Sequence, residues 1–191
     1  LPPPCSSVQL GEILNILEGF DLAGMGFGSP EYIHTLALAQ KASFSDRVRY
    51  LADPGFQDVP VEEVFLSRDN AAAWRERILK GEAIIVPKAG AAELAHTTTI
   101  SAMDEQGTAV AFTHTLSTPA SGGVVEGLGF MFNNAMQAFH PYPGHPNSIA
   151  PGKARITGMA PTIVLKEGRP WLVVSSLGGT KILTGVMQVI V

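Results

Sequence analysis

The run His96-Thr97-Thr98-Thr99-Ile100-Ser101 places several hydroxyls on an alternating stretch that follows an Ala- and Gly-rich segment. Two readings of it stand side by side. Threonine is a good strand former, so a β-branched strand edge explains the run without any chemistry. In the other reading, one threonine attacks its own preceding carbonyl, cuts the chain and keeps the freed α-amino group as its base. An unassisted hydroxyl is a poor nucleophile, whereas an α-amine of pKa about 7.7–8.0 accepts a proton near neutral pH.

Other polar groups have plainer explanations. His140 and His145 flank Pro141-Tyr142-Pro143-Gly144, a spacing that could hold a metal on a rigid loop. No cysteine or acidic residue stands near them and the prolines favour a turn, so no metal is expected. Asn133 and Asn134 read as backbone-capping residues, and His114 falls on the strand face opposite Thr115. Asp46 and Arg47 read as partners in surface or interhelical pairs, and Cys5, beside three prolines, reads as a packing residue.

The elements that must carry these groups divide at His96. Before it the pattern is helical. Leu10, Ile13, Leu14 and Leu17 form one apolar stripe ended by Gly19. Ser29-Pro30 opens a helix that runs to about Leu51, ahead of Asp53-Pro54-Gly55. Asn70 is the expected N-cap of a helix to Lys80, with Gly81 as its stop. Residues 81–95 read as a loop suited to cleavage. After it the pattern is strand-like. Thr97 to Met103 and Thr108 to Ser117 alternate around Asp104-Glu105-Gln106-Gly107, giving a hairpin. Thr162 to Leu165 and Trp171 to Ser176 give a second, turning at residues 166–170, and Thr180 to Val191 reads as a helix that starts at Gly178-Gly179. Helices on either side of hairpins imply layered α+β structure.

Composition narrows the partners. The 191 residues carry a net charge of −4 with no basic cluster, which argues against nucleic acid and against an anionic membrane surface. The longest apolar runs, such as residues 186–191, fall far short of the roughly 20 residues that span a bilayer. One cysteine cannot form an internal disulfide. The proline run at the start and the uncapped apolar segment at the end read as a piece of something larger.

The segments LPPPCSS, ILNILEGFDL, YLADPGF, HTTTISAMDEQGTAVAFTHTLS, GFMFNN, PGHPNSIAPGKARITGMAPTIV and SSLGGTKI, in that order and spacing, resemble γ-glutamyltransferases over nearly the whole chain. The resemblance implies an N-terminal-nucleophile hydrolase with an αββα four-layer sandwich, of which this chain is only part. Residues 1–96 then match the end of the large subunit and residues 97–191 the beginning of the small one. It implies cleavage between His96 and Thr97, Thr97 as nucleophile, and Thr115 as the second threonine that supports it. Gly178 and Gly179 resemble the pair whose N–H groups stabilise the oxyanion; glycine leaves that approach open. It implies no cofactor, a small-molecule amide as substrate, the rest of the precursor as partner, and a periplasmic or extracellular site; it does not fix the oligomeric state.

The sequence also departs from that pattern. Where the family places a glutamine and an aspartate that hold the substrate's α-amino group, this chain has Ala135 and Ala138. Where it often has two serines for the α-carboxylate, this chain has Thr157 and Gly158, and at a further substrate-binding position Ser117 stands in for the asparagine two residues after the second threonine, a change that still hydrogen-bonds. The acyl-transfer residues are all present, while the pocket for a free amino-acid head is stripped, and an ammonium buried there without its partner costs several kcal/mol. An acylase for a non-γ-glutamyl amide, of glutaryl or cephalosporin type, is therefore the alternative to γ-glutamyl transfer. A catalytically silent, unprocessed fragment is the alternative from outside enzymology.

Overall fold

The computed structural model describes residues 1–87, 96–117 and 124–191, with His96 described by its backbone alone. Most of the expected cleavable loop, residues 88–95, lies outside the described residues. The chain is α+β.

Among the described residues four helices precede the strands, α1 (Ser7–Leu17), α2 (Leu22–Met25), α3 (Pro30–Tyr50) and α4 (Arg68–Leu79), with one π turn at Val61–Phe65. The apolar stripe of α1 buries Leu10, Ile13 and Leu17 against α3 and α4. Ser29 caps α3 by accepting from Tyr32 N at 3.1 Å, with Pro30 in the first turn as its fixed φ allows. The cap of α4 is Ser67, which accepts from Asn70 N at 3.1 Å; Asn70 is not the N-cap the sequence predicts. Its amide is used elsewhere.

That amide joins a buried polar cluster linking α1, α3 and α4. Asn70 Nδ2 donates to Glu12 Oε1 at 3.3 Å, to Asp46 Oδ2 at 3.2 Å and to Val64 O at 3.2 Å. Ser43 Oγ donates to Glu12 Oε2 at 2.7 Å, and Trp74 Nε1 donates to Asp46 Oδ2 at 2.7 Å. Asp46 thus bridges helices from the interior through an indole and an amide rather than through a surface ion pair, and Arg47 is buried beside it against the Phe44 ring. Burial pushes the Glu12 carboxyl up from 4.5 to about 9, helped by the hydrogen bond and charge of Asp46 and opposed by the Ser43 hydroxyl.

Beyond these, the described residues form two antiparallel hairpins. β1 (His96–Met103) pairs with β2 (Ala109–Ser117), and β3 (Thr162–Lys166) pairs with β4 (Arg169–Val174). The second hairpin turns on Glu167 and Gly168, both with positive φ (54° and 76°), a tighter turn than the expected 166–170. A 3₁₀ turn at Gly179–Lys181 leads into α5 (Ile182–Ile190), whose Ile182, Leu183, Val186 and Met187 enter the same core as α1 and α3.

Parts on either side of residue 96 are sewn together. Thr157 N donates to Pro4 O at 3.0 Å, Ser6 N donates to Thr157 O at 3.0 Å, and Ser6 Oγ donates to that oxygen at 2.7 Å. Ala154 N donates to Asp53 Oδ2 at 2.6 Å, and Thr184 Oγ1 to Gln40 Oε1 at 2.8 Å.

Candidate active site

Strand pairing puts Thr97 directly across from Thr115. Residues directly opposed in an antiparallel pair present their side chains to the same face. Thr97 Oγ1 accordingly donates to Thr115 Oγ1 at 3.1 Å. The same Thr115 oxygen receives Ser117 N–H at 3.0 Å, so two donors fix its position. His114 lies on the other face, exposed and stacked on Phe112 with ring centroids 6.2 Å apart.

The register shifts between His96 and Thr97: Thr97 faces Thr115, but His96 faces Ser117. Leu116 is left over as a bulge opposite the His96–Thr97 peptide, and its carbonyl accepts from Asn134 N at 2.9 Å. A bulge of this kind bends a strand and re-aims its side chains. Ser117, just past it, has φ 72°, a left-handed conformation that a residue with a Cβ adopts at a cost of order 1 kcal/mol. The residue is 2% exposed, and among the described residues its Oγ has no hydrogen-bond partner. Alternation alone gives no sign of this bulge.

The Leu116–Asn134 bond also places the next group. Ala135 and Ala138 bound a 3₁₀ turn, held by Ala135 N donating to Asn133 Oδ1 at 2.9 Å and Asn147 Nδ2 donating to Ala138 O at 2.7 Å. Asn133 is the local cap that the sequence predicts. The two methyl groups offer no acceptor to an ammonium.

Gly178 and Gly179 occupy the passage from β4 to α5 with φ of 127° and 60°, values that favour glycine. That passage is drawn toward the first hairpin by Ser101 and Ser175, whose hydroxyl oxygens lie 3.0 Å apart. Ser101 ends the hydroxyl run that begins at Thr97, whereas Ser175 does not stand out in the sequence; the adjacency of β1 and β4 brings the two together. On its other side α5 approaches so closely that a Cβ on Gly185 would sit 2.8 Å from Ser176 Oγ.

Thr157 and Gly158 are buried on the seam with the N-terminal segment, where Thr157 Oγ1 accepts from Met159 N at 3.3 Å. The hydroxyl is thus engaged in its own turn. His140 and His145 stack with centroids 4.3 Å apart, and their Nδ1 atoms are spent on backbone: Tyr142 for His140, and Asn147 N, at 3.0 Å, for His145. Burial, then the neighbouring His140 and Lys153 charges, hold the His145 imidazole below its usual pKa. Among the described residues no three His, Cys, Asp or Glu side chains are grouped to hold a metal ion, and no helix is long and apolar enough to cross a membrane. Cys5 is free and half-buried beside Thr157. An apolar cavity of about 550 Å³ between α3 and α5 is lined by Tyr32, Leu36, Phe44 and Gln188 among others, all outside the hairpin that carries Thr97.

The sequence model of the family described as Gamma-glutamyltranspeptidase matches residues 1–191. The chain belongs to the gamma-glutamyltranspeptidase family. It is 38% identical to the Glutathione hydrolase proenzyme of Escherichia coli (strain K12), covering 100% of this chain and 36% of that protein. To the Acylase ACY 1 proenzyme of Pseudomonas sp. (strain SE83) it is 40% identical, covering 100% of this chain and 34% of that one. The crystal structure of cephalosporin acylase from Bacillus halodurans matches the whole chain with a TM-score of 0.80 at 26% identity, over 34% of its own length. The chain therefore spans about a third of the length of the relatives it matches, and its α+β fold is part of the larger fold of this family.

Proposed function

We propose that this chain carries the nucleophile of a self-cleaving threonine amidohydrolase or acyltransferase. Thr97 Oγ1 attacks the His96 carbonyl, an O–C bond forms as the C–N bond breaks, and the hydroxyl proton passes to the departing nitrogen. Water then hydrolyses the resulting ester, leaving a carboxylate on His96 and a free α-amine and hydroxyl on Thr97. In turnover that amine takes the Oγ1 proton as the oxygen attacks a bound amide, and gives it to the leaving amine; water or a second amine accepts the acyl group. The N–H groups of Gly178 and Gly179 are assigned to the oxyanion.

The observation that carries this reading is the 3.1 Å hydrogen bond between Thr97 and Thr115, made where the bulge interrupts the ladder beside the peptide to be cut. Both proenzyme names among the relatives fit a chain of this kind, and one of them is an acylase. Ala135 and Ala138 support an acyl group without an α-amine, as in a dicarboxylic monoamide such as glutaryl or an acylated β-lactam nucleus.

Mass spectrometry of the complete precursor tests the first claim: wild type yields a fragment that begins with Thr97, and Thr97→Ala stays uncut and inactive. A processed, active alanine variant refutes it. Matched glutaryl and γ-glutamyl anilides test the second, with glutaryl expected to be the better substrate; a strong γ-glutamyl preference would overturn the reading of Ala135 and Ala138.

A further inference from the structure

Ser117 is the unexplained residue beside this pair. Its backbone N–H is employed, donating to Thr115 Oγ1, and its φ lies in the left-handed region. Its hydroxyl is buried and has no hydrogen-bond partner among the described residues. The strand register sets it opposite His96, across from the peptide whose cleavage would release a new amine. A buried hydroxyl without a partner is uncommon enough to need an explanation, and an event that creates a polar group next to it supplies one. In the uncut chain the Thr97 nitrogen is an amide with one hydrogen; after the cut it is an amine with two or three, and those need acceptors in a place where Ser117 Oγ is unoccupied.

We propose that the Ser117 hydroxyl is a positioning group for the mature catalyst: it accepts a hydrogen bond from the freed α-amine of Thr97 and aims that amine's lone pair at Thr97 Oγ1. This inference rests on Thr97 being the self-cleaving nucleophile. It gives Ser117 a task separate from that of its own N–H. The N–H acts before and after the cut, by fixing Thr115, whereas the hydroxyl acts only afterwards. An acceptor held against the amine also favours the ammonium form, so losing it moves the acid limb of the pH profile to lower pH.

The test uses Ser117→Ala in the complete precursor, followed by intact mass for the cut and by steady-state kinetics on the glutaryl anilide. Self-cleavage is expected at the wild-type rate, with kcat down on the order of 10-fold, KM unchanged and the acid limb shifted to lower pH. Ser117→Asn, which tolerates the left-handed backbone and restores an acceptor, is expected to recover part of kcat. Thr113 offers the control, because its hydroxyl is likewise buried without a partner on the same strand but faces Thr99. Thr113→Val should leave kcat and the pH profile alone. Slow self-cleavage in Ser117→Ala overturns the proposal, as does a raised KM at constant kcat, which would make Ser117 a substrate ligand. An equal loss in Thr113→Val also overturns it, because the effect would then be packing. Failure of wild type itself to be cut at residue 97 refutes the underlying reading instead, and is seen before any variant is made.

Discussion

Two buried polar clusters, one among the helices and one on the first hairpin, are satisfied in opposite ways. In the helical cluster the carboxyls of Glu12 and Asp46 receive donors from Ser43, Asn70 and Trp74, and the result locks three helices together. On the hairpin, Thr97 and Thr115 are bonded to each other while the hydroxyl of Ser117 has no partner among the described residues. A fully bonded network has nothing left to offer a ligand, and its value is rigidity. An idle buried hydroxyl beside the peptide to be cut forgoes about 1–3 kcal/mol, which a structure tolerates where function needs room. The contrast separates scaffold from candidate machinery without reference to any relative.

Breaking one cluster should leave the other's readout untouched. The largest effect is expected at Thr115. Thr115→Val removes the acceptor of Thr97 Oγ1 and of Ser117 N–H together, and should slow self-cleavage by about 100-fold, the scale of a misplacement near 1 Å, with the urea midpoint little changed. Quantified gel or mass analysis of precursor against time reads it.

The helical cluster should answer to pH instead. Glu12 holds its proton up to about 9 in the folded state against 4.5 for an ordinary glutamate, so the folded chain keeps a proton that the unfolded chain releases. Its contribution is fully present below pH 4.5 and is lost as pH rises toward 9. One proton difference gives a slope of about 1.4 kcal/mol per pH unit at most. Urea midpoints across that range should fall with pH in wild type and flatten in Glu12→Gln. Trp74→Phe, which strips the indole donor from a buried carboxylate, should destabilise by about 1–2 kcal/mol with no change in the self-cleavage rate of the folded fraction.

The smallest effect sharpens the comparison from the other direction. Gln9, one turn before Glu12, is fully buried and both atoms of its amide lack partners among the described residues, as does the Ser7 hydroxyl on the same helix. If it is only a packing residue, Gln9→Leu should be neutral or stabilising by up to about 1 kcal/mol in the same denaturation assay. A marked loss would mean that this amide serves something outside the described residues.

The sequence carried different parts of this picture with different clarity. Ser29-Pro30 marks the start of α3 because both the cap and the fixed φ are local properties, and both hairpins are written in alternation and turn residues. Asn70 was misleading for a physical reason: a residue that makes a good cap also makes a good buried donor, and Ser67, three residues earlier, takes the cap while the amide turns inward. Asp46 and Arg47 read as surface or interhelical partners in one dimension; the packing makes both interior, and Asp46 does bond across helices, to Asn70 and Trp74. The Thr97–Thr115 pair follows from hairpin register, but the bulge at Leu116 and the left-handed Ser117 do not, since neither position holds a glycine to signal a strained backbone. The tie from Leu116 to Asn134 is a long-range contact that no local pattern encodes.

The stitching between Pro4, Ser6 and Thr157, and between Asp53 and Ala154, bears on what a cut at position 97 would do. These bonds, and the shared core of α1, α3 and α5, join the two products without using the severed link. Scission would therefore free two chain ends, the carboxylate of His96 and the amine of Thr97, while the halves remain a single particle, so that gel filtration sees no change where denaturing electrophoresis sees two bands.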